Sequence, residues 1–179
     1  MSVQKKSVTK FCSFYVSDWH MVTMLLPYVN KEINEQTKIV TFLEKDIQKN
    51  IETLVQKLNL KNKDKVLKLN WTSTNANKYT NVSKSIEKCK EENLLIIVNG
   101  SKTYIDKANQ NIGHYLQKNQ KQIENMHKTI KIVNCYEVLE FNGSIEEILN
   151  AHDKILNTSG EKEITEVFEG FERKEERIS

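Results

Sequence analysis

The sequence contains one proline, five glycines, three cysteines and two arginines in 179 residues. So little Pro and Gly excludes a collagen-like or low-complexity chain. The cysteines, Cys12, Cys89 and Cys135, are odd in number and far apart, with no CxxC pair and no Cys/His cluster. They form neither a disulfide framework nor a zinc site, and they read as reduced, mostly buried thiols of a cytoplasmic protein. No run of about 18 apolar residues occurs, so no membrane span is expected. The basic opening MSVQKKSVTK leads into FCSFYVSDWH, which turns polar too early for a signal peptide. Charge of one sign is scarce too, since 27 Lys and Arg against 24 Asp and Glu leave a net charge of +3. The arginines, Arg173 and Arg177, sit at the C-terminal end, and the lysines are spread over every expected helix. Neither nucleic acid nor an anionic membrane is expected as a direct partner.

What is present is globular: 38% hydrophobic and 28% charged residues, enough to bury a core without staples. Short β-prone runs alternate with helical stretches. The strand candidates are residues 11–16 (FCSFYV), 38–43 (KIVTFL), 66–71 (VLKLNW), 94–98 (LLIIV) and 129–136 (TIKIVNCY). The run 94–98 is the most apolar and reads as a central strand buried on both faces. Helices are expected over 18–36, capped by Ser17 or Asp18 and interrupted at Pro27, then from Asp46, over 82–90, and over 104–126. Ser144 followed by Glu147 has the spacing of a capping box opening a helix over 145–156. Ile164, Val167, Phe168 and Phe171 fall on one face of an expected helix over 161–177. The expectation is a three-layer α/β domain over residues 1–160. Its mostly parallel sheet has five or more strands, with helices on both faces, and a C-terminal amphipathic helix follows over 161–179.

Ligands of such sheets bind beyond the carboxyl ends of the strands. The first of these turns reads Tyr15, Val16, Ser17, Asp18, Trp19, His20, without glycine or lysine. It cannot cradle phosphate as a P-loop does, and no GxGxxG exists elsewhere. No cofactor is therefore expected. Tyr15 and Trp19 can supply aromatic walls, with Asp18 and His20 as a polar pair at the mouth. Asp18 as a simple helix cap and His20 as an exposed first-turn residue is the plainer alternative. Trp71 precedes a hydroxyl- and amide-rich loop. His114 and His127 read as solvated helix residues, and no HxxxH or HxH spacing supports a metal site. His152 falls near the end of the expected 145–156 helix, where capping of the last turn is the simplest role. Adjacent carboxylates such as Glu146 and Glu147 do not converge on one point of a helix.

Two stretches carry a resemblance. The first runs from residue 11 to Asp46; its matching positions are Phe14, Tyr15, Leu26, Pro27, Tyr28, Val29 and residues 38–42. The second is VNCYEVLEFNGSIEEILNAHDKIL, at Cys135, Tyr136, Phe141, Leu149, His152 and Ile155. Together they resemble the MEDS domain, the DcmR-type sensory domain of methanogens and methylotrophs. Two features depart from that pattern. Residues 34–36 replace glycines, and Asp153 replaces a proline. The resemblance implies a degenerate RecA/KaiC-like fold without nucleotide motifs. It also implies a non-enzymatic sensory role for a small organic ligand, with a partner such as a histidine kinase or transcription regulator. On this basis the expected ligand-binding residues are Tyr15, Asp18, Trp19, His20, Trp71 and Tyr136, with His152 in addition. The alternatives are a protein-interaction adaptor or homodimerising module without a small ligand, and a hydrolase using Asp18, His20 and a nearby hydroxyl.

Overall fold

The computed structural model describes residues 7–89, 92–138 and 144–174. The elements run β1 (Val8–Tyr15), α1 (Asp18–Asn34), β2 (Lys38–Leu43), α2 (Gln48–Lys57), α3 (Lys63–Leu67), α4 (Tyr79–Glu87), β3 (Leu94–Asn99), α5 (Lys102–Lys118), α6 (Gln120–Asn125), β4 (Ile130–Glu137), α7 (Ile145–Asn150), β5 (Lys154–Asn157), β6 (Gly160–Lys162) and α8 (Ile164–Val167). The six strands form one sheet in the order β2-β3-β4-β1-β5-β6. All pairings are parallel except β5 with β6.

Strand alternation divides the core into two layers. Leu95 and Ile97 of β3 and Val133 and Cys135 of β4 pack with α1, α2 and α3. Leu94, Ile96 and Val98, with Ile130 and Ile132, pack with α4, α5, α6 and α7 on the other face. Every residue of β3 is buried, as its unbroken apolar run requires. This is the expected helix-flanked, mostly parallel α/β sheet, with one strand more than the minimum of five.

Helix α1 begins at Ser17, whose hydroxyl accepts the His20 amide at 3.2 Å. It passes undivided through Pro27. Leu25, Leu26, Tyr28 and Val29 are buried around that exposed residue, and their packing outweighs a proline penalty of ~3 kcal/mol. At its end Gln36 adopts φ 64, the left-handed conformation that favours glycine. The Gln36 and Thr37 amides bond back to Ile33 and Glu32, closing the last turn as a Schellman motif.

Four expected elements differ. Residues 66–71 are not a strand: Val66 and Leu67 end α3, and Trp71 turns inward to donate its indole N–H to the Val66 carbonyl at 2.8 Å. The helix expected over 104–126 divides at Asn119, whose side chain bonds the Tyr115 carbonyl, while Gly113 stays inside α5. The helix expected to reach Leu156 ends at Asn150, and Ser144 caps it without a side-chain bond, so no capping box forms. Residues 154–157 become β5 because Ile155 and Leu156 alternate into the two core layers. The terminal helix is reduced to the four residues of α8. Residues 160–162 join the sheet instead, while Ile164, Phe168 and Phe171 cover the α5 side of the core. Phe141, Lys90 and the end of the expected terminal helix lie outside the described residues.

Candidate functional site

Strands β1 and β4 are neighbours, yet the helix after β1 lies on one face and the helix after β4 on the other. Such a divergence at the carboxyl ends is where ligands of open α/β sheets bind. The polypeptide places Tyr15, Asn99 and Glu137 there. Tyr15 is the ladder partner of Glu137, and Asn99 that of Cys135. All three side chains belong to the α1 face by strand alternation.

Asn99 is fully buried. Its amide nitrogen donates to the Tyr15 hydroxyl at 2.7 Å and to the Cys135 carbonyl at 3.1 Å. A carbonyl can only accept, so the nitrogen must face Cys135 and Oδ1 is the other end. That oxygen is the one buried side-chain N or O without a hydrogen-bond partner among the described residues. Burial raises the Tyr15 phenol above its ordinary pKa; the Asn99 bond opposes the rise, and Cys135, Glu137 and Asp18 add to it.

The rim above is partly apolar. Val16, Trp19 and Val138 are 55%, 50% and 42% exposed. Asp18 pairs with Lys45 at 3.0 Å. The His20 ring accepts the Val16 amide through Nδ1 at 3.1 Å, so its proton sits on Nε2. The Ser17 hydroxyl accepts the His20 amide. Asp18, His20 and Ser17 therefore each serve the turn, and do not line up as an acid–base relay. Across the edge, Glu44 accepts the Ser101 amide at 2.8 Å. Gly100 permits this approach: a Cβ there would stand 2.7 Å from the Tyr104 ring and 2.8 Å from Glu44 Cβ.

The structure thus brings Tyr15, Asp18, Trp19 and His20 to one rim and separates the other three expected residues from it. Trp71 is fully buried beneath α3, because its indole finds a partner there rather than in the crevice. Tyr136 faces the opposite layer, stacked near Phe14 and edge-on to His152 at 5.9 Å. His152 is 3% exposed; its Nδ1 donates to the Ile148 carbonyl at 2.6 Å and its Nε2 accepts from Asn134 at 2.9 Å. It does cap the last turn of α7, but as a neutral ring: burial pulls its pKa down to about 4. Asn134 in turn exchanges amide bonds with Asn109.

Asn99 is absent from the residues expected from sequence, although it carries a signal, an amide ending an otherwise apolar buried strand. Cys12 and Cys135 are buried, and burial pushes each thiol up to about 12, which makes poor nucleophiles. Among the described residues no group of three or more His, Cys, Asp or Glu is arranged to hold a metal. No described helix is long and apolar enough to cross a membrane. Open grooves of about 740 and 870 Å³ lie elsewhere, at the amino end of β2 and outside α5, but neither contains a buried polar atom lacking a partner. In comparisons with known proteins, no family model and no curated protein matches this sequence.

Proposed function

We propose that the chain is a non-enzymatic regulatory domain that binds a small organic ligand over the carboxyl ends of β1, β3 and β4. The observation that carries this is the buried, unpartnered Oδ1 of Asn99. An unpaired buried acceptor costs ~1–3 kcal/mol, which a ligand donor would relieve. Val16, Trp19 and Val138 offer the apolar and aromatic surface such a ligand needs beside that polar point. Support for binding rather than catalysis comes from Asp18 and His20, whose polar groups already serve Lys45 and the turn.

Because Oδ1 has no exposure, the ligand reaches it only when neighbouring residues move, and on this reading the movement is that of the turn at residues 16–19, which follows Tyr15, the partner of the Asn99 nitrogen. That turn leads into α1, and α1 is tied to β6: Tyr28 donates to Glu161 at 2.9 Å, and Lys131 bridges Glu32 and Glu161 at 2.8 Å each. A ligand that prefers the opened turn shifts α1 and, through these bonds, the C-terminal segment where a partner protein would read the change.

A thermal-shift screen of short amines, alcohols and acids tests this. A binding compound raises the melting temperature, by ~2.7 kcal/mol of stability at one hundred times its Kd, and Trp19→Ala weakens that response. If no compound stabilises the protein, the proposal fails. A partner-docking module without a small ligand is the second reading, favoured by the exposed Val16, Trp19 and Val138 rim. It requires that Trp19→Ala abolish association with the partner while every compound leaves the melting temperature unchanged.

A further inference from the structure

We infer that the open groove at the amino end of β2 docks an acidic peptide segment of a partner protein, extended and anchored by an apolar side chain. The groove lies at the opposite end of the sheet from the ligand site proposed above, so the two readings stand or fall separately.

The charge of the chain is unevenly spread. Residues 48–69, which hold α2 and α3, carry six lysines and two acidic residues. That surplus of four exceeds the net charge of +3 of the whole chain, so the remainder is slightly acidic. Elsewhere Lys38, Lys45, Lys102, Lys131, Lys154 and Lys162 pair with carboxylates. Among the described residues, none of the six lysines in 48–69 does so. A face of this kind attracts acidic partners and turns basic ones away.

Two of the six, Lys65 and Lys68 at the end of α3, line the groove of about 740 Å³. Its floor is apolar, because Ile33, Ile39 and Leu69 are half-buried there. Of its two carboxylates, Glu92 is paired with Lys38 at 3.7 Å and Glu35 stands at the C-cap of α1. The lysines therefore outnumber the carboxylates, and the α3 wall is purely basic.

The strand adds an independent observation. Lys38 donates its amide toward β3, to the Asn93 carbonyl at 2.8 Å. Successive residues of a strand turn their main-chain groups to opposite sides, so the Ile39 amide and carbonyl point off the free edge. Neither has a partner among the described residues. Further along, the edge is covered: the Thr41 hydroxyl donates to the Asn70 carbonyl and the Thr74 amide to the Leu43 carbonyl. One open residue is enough to register a short extended peptide, and too little for one sheet to stack on another. Nucleic acid fits this face less well. Residues 48–69 contain no arginine and no aromatic side chain, the groups that fork onto phosphates and stack on bases.

A random heptapeptide library displayed on phage is selected against the full chain at low salt, and the recovered peptides are measured by fluorescence anisotropy. They should carry Asp or Glu beside Val, Ile or Leu. The double substitution Lys65→Glu/Lys68→Glu should weaken them roughly tenfold. Lys121→Glu, exposed on α6 across the sheet, should change binding less than about twofold. Two readouts need no variant: added NaCl weakens binding, and amide exchange at Ile39 slows roughly tenfold in the complex. An empty selection, recovery of neutral or basic peptides alone, indifference to the Lys65 and Lys68 reversals, or unchanged exchange at Ile39 overturns the proposal. Oligouridylate and phosphatidylserine vesicles are run beside the best peptide. If either binds more tightly than the peptide and weakens with the same double substitution, the face belongs to that polyanion and the peptide is overturned.

Discussion

Two polar clusters lie under α1 on the same face of the sheet, one at each end of the strands. At the amino end, Lys131 on β4 bridges Glu32 and Glu161, with Tyr28 and Thr37 adding hydrogen bonds to those carboxylates. Glu32 is 2% exposed, yet both its oxygens are engaged. Burial works to lower the Lys131 pKa, but its bonds to Glu161 and Glu32 raise it above the ordinary value. The Glu161 carboxyl, pushed up by burial, is held lower by Lys131 and Tyr28. At the carboxyl end, Tyr15, Asn99 and the Cys135 carbonyl are equally buried, but that group is one donor short. A closed network specifies structure, whereas an incomplete one leaves a place for something else.

That contrast can be broken by experiment. Lys131→Met leaves Glu32 charged and buried without its partner and should cost ~3–5 kcal/mol in urea denaturation, with Glu32→Gln added to it restoring much of the loss. A loss below about 1 kcal/mol would make the amino-end cluster ordinary surface electrostatics. A third buried network, on the opposite face, sharpens the comparison by pH. His152 titrates near 6.5 when unfolded and at about 4 when folded, so between those values the unfolded chain binds the extra proton. Its contribution is complete above pH 6.5 and is lost as pH falls toward 4, by at most ~3 kcal/mol at ~1.4 kcal/mol per pH unit. The difference between wild type and His152→Gln in urea midpoint should follow that slope; a parallel pair of pH curves would refute it. Least is expected at the carboxyl end: Tyr15→Phe removes one hydrogen bond and should cost only ~1 kcal/mol in the same assay.

The sheet was legible wherever strands had apolar runs long enough to be buried twice. Residues 94–98 and 129–136 could hardly be anything else, and the Ser17 cap marked where α1 begins. The failures came from short segments with two compatible periods. Val66 and Leu69 satisfy a helix turn as well as a strand, and the Trp71 indole decides the matter through the Val66 carbonyl. Ile155 and Leu156 continue the helical pattern of α7, but tertiary pairing with Cys12 draws them into β5. Half of the candidate site was readable because its residues sit on one turn. Asn99 and Glu137 were not singled out, since their importance comes from the β1, β3 and β4 register, a relation between distant segments that no local spacing encodes.

Both margins of the sheet are blunted. Along β2, the segment that carries Thr74 bonds the Leu43 carbonyl at 2.7 Å, while Lys38 projects a charge at the open half. The other margin is β6, three residues long and entered through a left-handed Gly160. Neither offers the long, flat row of free amides and carbonyls on which chains recruit one another into fibrils. Copies of this protein therefore find little free strand edge through which to pair, even though the carboxyl end of the sheet keeps an uncompensated polar atom.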